Sequence, residues 1–369
     1  MKVLMFISDT GAGHRSVAEA ISQELAIQTN GRAECQVVDF FTELNVPILK
    51  HAPRIYAWLT SHALWLYDAL FVASDNALAN RCMSWMLSRI VRRRLTGYLE
   101  SIQPDVVISA HPLYVSDAIS MARMEESADF ILLSMVCDPV SPHRSWACPS
   151  VDLCFAPTSG IKDKLIDAGM PTGRVEVSGF PVRSEFLKPH PRAKISELRT
   201  KLGLEENSLV VLISSGGNGA GQLHSIVQHL LARDDRMQLI VLTGENRRLK
   251  QRLKRLSGDS VTVMSFVENA WDYMIASDII IGKAGPSTIM ESAAAGRPIL
   301  LTEEVGRQER GNIALARSLG VGIQVPESLN SPHDLLDLTK VSRQLNPPAE
   351  AVLGARYIAK WIIEHVRLA

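Results

Sequence analysis

Short β-branched runs recur along this chain, and most are followed by a stretch with helical spacing. The runs lie at residues 3–7, 35–38, 106–109, 131–136, 210–213, 238–242, 261–264, 279–281 and 298–301. Regular alternation of strand and helix leaves few folds open. Each strand needs a crossover before the next can lie parallel to it, so the chain reads as α/β with mainly parallel, doubly wound sheets. Its 369 residues exceed an ordinary single core and suit two. A proline-dense stretch from Gly179-Phe-Pro181 to Pro189-His-Pro191 precedes the restart of strands near Leu209 and marks the boundary. The expected division is 1–182, 183–348 and a last helix within 349–369. Whether that helix packs back on the first domain is open at this level.

Composition narrows the partners. Lys plus Arg and Asp plus Glu number 39 each, so the overall field gives no reason to expect nucleic acid. The five cysteines (Cys35, Cys82, Cys137, Cys148, Cys154) form no C-x-x-C pair, which suits a reducing compartment rather than a disulfide framework or zinc knuckle. The apolar start, 1–8, is too short for the core of a signal peptide, and no run approaches the roughly 18 apolar residues of a spanning helix. A cytoplasmic protein is expected, with room for peripheral attachment to a membrane.

In open parallel sheets ligands bind beyond the carboxyl ends of the strands. The first such loop, Ser8-Asp-Thr-Gly-Ala-Gly-His14, enters a helix. Gly11 and Gly13 allow close approach of a ligand, and His14 stands at the helix entrance, where a neutral imidazole would accept a proton from a hydroxyl. His111 and Asp138 occupy equivalent loops after the strands at 106–109 and 131–136, and Asp138 beside His14 is expected to orient it. His111 either touches an acceptor or is a bonded loop residue. The three come from separate loops without metal-ligand spacing, so no metal is expected. In the second half, Gly216, Gly217, Asn218 and Gly219 form an amide-rich loop suited to phosphate oxygens. Farther on, Lys283-Ala284-Gly285-Pro286-Ser287-Thr288 begins a helix whose first amides can face an anion. Glu291 either reaches paired hydroxyls or closes a capping box with Thr288.

Taken together and in order, these pieces resemble the monogalactosyldiacylglycerol synthase and processive diacylglycerol glucosyltransferase family, related to the N-acetylglucosaminyltransferase that completes the peptidoglycan lipid precursor. The matching segments are Ser8-Asp-Thr-Gly-Ala-Gly-His-Arg-Ser-Val-Ala-Glu-Ala-Ile21, Ala110-His-Pro-Leu113, Cys137-Asp138, Gly179-Phe-Pro-Val-Arg183, the 216–221 loop, Gly244-Glu-Asn-Arg-Arg-Leu249, Phe266-Val-Glu-Asn269 and 283–312. The resemblance implies a GT-B fold of two Rossmann-like domains with a cleft between them, and a UDP-sugar held by the second. It places Phe266 and Val267 beside uracil, Glu291 on the ribose, and 285–288 with 216–219 on the diphosphate. Gln308, Glu309 and Asn312 then face the sugar. His14 takes the base's position in an inverting transfer that needs no cofactor beyond the UDP-sugar co-substrate. Arg307 stands where glycine is usual, beside the expected sugar pocket, and leaves UDP-galactose and UDP-glucose both open.

Residues 45–95 form an insertion that an ordinary crossover does not need. It carries Tyr56, Trp58, Trp65, Tyr67, Phe71 and Trp85, with seven basic residues against Asp68 and Asp75. Such a mixture suits an anionic membrane surface, or else a core or subunit interface. The expected function is hexose transfer to a diacylglycerol-like hydroxyl. The alternatives are a polyprenyl-linked or soluble acceptor, a non-hydrolysing UDP-sugar epimerase, or a nucleotide-sugar-binding protein without turnover.

Overall fold

The structure is a computed structural model, and it describes residues 1–126, 128–214, 223–231, 237–255, 260–324 and 349–366. The chain divides into two compact units: Met1–Ser184 with Gly306–Arg310 and Glu350–Ala369, and Glu185–Val305 with Gly311–Ala349.

The first unit is built on β1 (Lys2–Ile7), β2 (Glu34–Asp39), β3 (Val106–Ser109), β4 (Ile131–Met135), β5 (Leu153–Ala156) and β6 (Val175–Val177). All pair in parallel, in the order β2-β1-β3-β4-β5-β6. β1 is buried from Val3 to Ile7, as a parallel strand covered on both faces must be, which is why it reads as one apolar run. Its helices are α1 (Ala12–Gln28), α2 (Phe40–Glu43), α3 (Ala52–His62), α4 (Leu64–Ser74), α5 (Ala77–Ile102), α6 (Val115–Glu126) and α7 (Ser159–Asp167). The insertion thus consists mainly of α3, α4 and the first part of α5.

The second unit carries β7 (Leu209–Ser214), β8 (Met237–Leu242), β9 (Val261–Met264), β10 (Ile279–Gly282), β11 (Ile299–Leu301) and β12 (Gly322–Gln324), all parallel, in the order β12-β11-β10-β7-β8-β9. Its core gathers Val211, Ile213, Leu239, Val241, Ile279 and Ile281 from the central strands against Val227 and Leu253 from the helices. The helices after α7 are α8 (Ser184–Leu187), α9 (Arg192–Lys201), α10 (Leu223–Leu231), α11 (Arg247–Lys254), α12 (Ala270–Ala276), α13 (Pro286–Ala295), α14 (Asn312–Ser318) and α15 (Gly354–His365).

α15 belongs to the first unit. The Phe180 amide donates to the Ala351 carbonyl at 2.8 Å and the Gly354 amide to the Phe180 carbonyl at 3.2 Å. Gly354 is obligatory at this crossing, because a Cβ there would run into the Gly179 backbone. α15 then lays Ala355, Ile358, Ala359 and Ile362 inward, with Trp361 edge-on to Phe155.

Candidate active site

Both strand orders contain a point where succeeding crossovers run in opposite directions, and loops on either side of such a point leave a crevice for ligands. In the first unit it lies between β1 and β3, so the loop leading to α1 and the loop after β3 flank it. His14 is buried on the first turn of α1, and its Nδ1 lies 2.8 Å from the Ala110 carbonyl. A carbonyl only accepts, so Nδ1 carries the proton and Nε2 keeps its lone pair. The His111 ring meets His14 edge to face at 4.7 Å and is itself buried, with Phe41 on another side. Burial lowers the His14 pKa to about 4 against the raising influence of the Ala110 bond and Asp9. Burial, aided by His14, also pushes His111 well below the usual histidine value. The pair is neutral at physiological pH.

Asp138 does not take the role expected beside His14. Its Oδ2 accepts the Trp146 indole N–H at 2.7 Å and its Oδ1 accepts the Gln308 amide at 3.0 Å. The Ala110 carbonyl orients His14 instead. Asp138 is buried, and burial raises its carboxyl to about 6, opposed by those two hydrogen bonds. The loop carrying His14 is braced by residues not singled out from sequence. Asp39 accepts the Asp9 amide at 2.7 Å and also caps α2 through the Thr42 amide, while Arg15 grips the Asp9 carboxylate with two bonds of 2.8 Å. An acidic residue ending a strand just before a helix was the available signal for Asp39.

The His14 shift has a stability consequence. Between pH 6.5 and about 4 the unfolded chain binds a proton at His14 that the folded chain refuses. Stability through this group is therefore full above pH 6.5 and falls as pH drops through that window. At about 1.4 kcal/mol per unit, wild type should lose about 3 kcal/mol relative to His14→Gln over this range. Asp117 and Asp138, both raised to about 6 by burial, act in the opposite direction in both proteins and cancel in the difference. Parallel denaturation of the two proteins at several pH values measures it.

Gly306–Arg310, expected with the second domain, groups with the first unit. The Arg307 amide donates to Asp68 at 2.8 Å, the Tyr67 hydroxyl to the Gln308 side-chain oxygen at 2.7 Å, and Ser141 to the Arg310 carbonyl at 2.8 Å. Glu309 is buried. The Arg307 side chain lines an open pocket of about 350 Å³ with Phe71, Asp75, Lys164 and Arg310, whereas Gln308 bonds Tyr67 and Asp138.

In the second unit the corresponding point lies between β7 and β10. The two strands pair Gly282 with Ser214 so closely that a Cβ on Gly282 would meet the Ser214 carbonyl. Lys283, Ala284 and Gly285 follow, and Gly285 is the N-cap of α13, with Pro286 in the first turn and no side-chain cap. Ser287 and Thr288 therefore occupy the second and third positions of the helix. A capping box pairs the N-cap with the third position, so Thr288 and Glu291 do not form one. Asn312, expected to face a sugar, is buried and donates to the Ala284 carbonyl at 2.9 Å, bracing this turn. Glu304 caps α14 through the Gly311 and Ile313 amides, both at 2.9 Å, a role that sequence reading missed. Phe266, just beyond β9, is 59% exposed, and Val267 follows it. Gly216, Gly217, Asn218 and Gly219 lie outside the described residues. Among the described residues no three His, Cys, Asp or Glu side chains gather as metal ligands would.

Residues 14–182 match the family described as monogalactosyldiacylglycerol (MGDG) synthase, and 210–342 match the glycosyltransferase family 28 C-terminal domain. A probable chloroplastic monogalactosyldiacylglycerol synthase of Nicotiana tabacum is 32% identical over 87% of the chain and 61% of its own length. The chain thus spans about three-fifths of that relative. The chloroplastic synthase of Spinacia oleracea is 30% identical, over 94% of the chain and 67% of its own length. A processive diacylglycerol beta-glucosyltransferase of Bacillus subtilis (strain 168) is 26% identical over 88% of the chain and 83% of its own length. Among solved structures, UDP-GlcNAc 2-epimerase from Neisseria meningitidis aligns with a TM-score of 0.61 at 18% identity, covering 99% of both chains. That likeness establishes the two-domain GT-B fold.

Proposed function

This chain belongs to the monogalactosyldiacylglycerol synthase family of glycosyltransferases, and from that premise we propose that it transfers galactose or glucose from a UDP-sugar to a diacylglycerol-like hydroxyl. The observation that carries the reading is His14, buried and held on the Ala110 carbonyl in the neutral tautomer that leaves the lone pair on Nε2. In the proposed step, His14 Nε2 takes the proton of the acceptor hydroxyl as its oxygen bonds to the anomeric carbon of the sugar. The bond from that carbon to the diphosphate breaks, UDP leaves with the electron pair, and the anomeric centre inverts. The α13 N-terminus, where Gly285 as N-cap brings no capping side chain, supports a diphosphate role for Gly285, Pro286, Ser287 and Thr288 with Lys283. Glu291 would hold the ribose, Phe266 and Val267 the uracil, and Gln308 and Glu309 the sugar. Asn312 gives its amide nitrogen to the Ala284 carbonyl and would turn its oxygen, buried without a hydrogen-bond partner among the described residues, to the sugar.

The lipid half of the reading draws on the insertion. No described helix is long and apolar enough to cross a membrane. Trp58, Trp65, Leu78 and Trp85 are nonetheless 56%, 74%, 74% and 57% exposed, and on α5 Arg89, Arg92 and Arg93 are exposed as well, Arg89 over the Trp85 ring. Exposed tryptophans next to cations suit an anionic lipid surface. Replacing Trp58 and Trp65 together by serine should weaken sedimentation with anionic vesicles by roughly tenfold or more, with UDP affinity unchanged.

The reading is tested by supplying labelled UDP-galactose and UDP-glucose separately to vesicles with and without diacylglycerol and chromatographing both the lipids and the nucleotide sugars. Labelled glycolipid from one donor supports it. Product only on a polyprenyl-linked or soluble acceptor, or conversion of the UDP-sugar without any acceptor, sinks it.

A further inference from the structure

α4 is turned around relative to an ordinary surface helix. Leu64, Trp65, Leu70 and Val72 are exposed, whereas Tyr67 and Asp68 are partly buried. Those two residues meet one short segment. The Tyr67 hydroxyl donates to Gln308 Oε1 at 2.7 Å and Asp68 Oδ1 accepts the Arg307 amide at 2.8 Å. Gly306, at a positive φ of 64°, has no room for a Cβ against Asp68 and the Tyr67 ring. The Gln308 amide is then fully specified. Its oxygen receives Tyr67, its nitrogen gives to Asp138 at 3.0 Å, and Asp138 is held from its other oxygen by the Trp146 indole at 2.7 Å. Tyr67 packs edge-on to Tyr56 at 5.6 Å, which fixes its ring. Burial raises the Tyr67 phenol far above its ordinary pKa, so it stays a donor throughout the physiological range.

We propose that Tyr67 and Asp68 are positioning residues for the sugar end of the donor site, fixing the rotamer and amide orientation of Gln308 from the helix that also presents Trp65 outward. The proposal rests on the reading of Gln308 as a contact to the transferred sugar. The insertion then serves the donor as well as the lipid. Tyr67 would decide how well a hexose is held, and leave the grip on UDP alone.

Removing only the hydroxyl, Tyr67→Phe, leaves the Gln308 oxygen without its donor. The KM for UDP-hexose should rise roughly tenfold, while the inhibition constant of UDP and the KM for diacylglycerol in vesicles stay unchanged. In a Gln308→Ala background the same substitution should have no further effect, since the two act as one unit. Asp68→Asn, which keeps Tyr67, should shift the UDP-hexose KM in the same direction and serves if the first variant does not fold. A change confined to the diacylglycerol KM or vesicle binding would show that Tyr67 serves only the lipid seat, and would overturn the proposal. So would an unchanged UDP-hexose KM, or equal effects of Tyr67→Phe with and without Gln308. A wild-type chain that transfers no hexose would overturn the transferase reading and this proposal with it; an active wild type unaffected by Tyr67→Phe overturns this proposal alone.

Discussion

Replacing His14 by alanine is expected to lower hexose transfer by about 10²- to 10⁴-fold, the usual worth of a positioned general base, with UDP affinity nearly unchanged. Three features of the site lead there. The Ala110 carbonyl fixes the proton on Nδ1, burial keeps the ring neutral with a pKa of about 4, and the neutral His111 ring stands against it. A base of such low pKa is a weak one in equilibrium terms, yet it is unprotonated across the whole physiological range. In the proposed step it would remove the proton as the new carbon–oxygen bond forms rather than before. Steady-state rates for the variant, beside UDP binding measured by calorimetry, check the prediction. A comparable loss of UDP binding would show that His14 holds the nucleotide and is not the base.

Glu291→Ala should produce the opposite pattern. A carboxylate accepting from two ribose hydroxyls contributes charge-assisted bonds, so its loss should weaken UDP and UDP-hexose alike by roughly tenfold to a hundredfold. The register of α13 sharpens this expectation. With Gly285 as N-cap and Thr288 third in the helix, Glu291 sits in the second turn, beyond the reach of a capping box. The thermal midpoint is therefore not expected to fall through loss of a helix cap. A fall in midpoint without a change in UDP affinity would return Glu291 to a structural role.

The sequence carried the sheet pattern well where strands are long and buried. Every one of the nine β-branched runs falls on an observed strand, because a parallel strand covered on both faces must be apolar along its length. β5, β6 and β12 were invisible for a physical reason: β5 (Leu-Cys-Phe-Ala) has no β-branched residue, β6 is interrupted by Glu176, and β12 sets a single Ile323 between glycine and glutamine. The rule that ligands bind beyond the carboxyl ends of parallel strands directed attention to the loops of His14 and His111, whose rings the structure brings within 4.7 Å. What those side chains bond to was not legible. His14 is oriented by a backbone carbonyl, a group every residue carries, so nothing in the residue types could mark Ala110.

The misplaced partner of Asp138 has a related origin. Two acidic and basic residues on neighbouring loops invite pairing, but the indole of Trp146 and the amide of Gln308 claim the carboxylate first. Gln308 lies 170 residues away from Asp138 and 241 from Tyr67. Such distant pairs appear only once the chain has folded. Tyr67 itself was read as one more aromatic of a membrane-facing patch. Its neighbour Trp65 is the exposed one, and two positions along a helix are enough to turn from one face to another.

Transfer to a lipid hydroxyl couples loss of the donor to the presence of the acceptor. The most direct measurement follows UDP release and glycolipid formation together, in vesicles with and without diacylglycerol. One UDP should be released for each hexose found on lipid, with next to no release when diacylglycerol is left out. Steady consumption or conversion of UDP-hexose in vesicles without diacylglycerol, with no hexose appearing on lipid when it is present, would contradict that coupling.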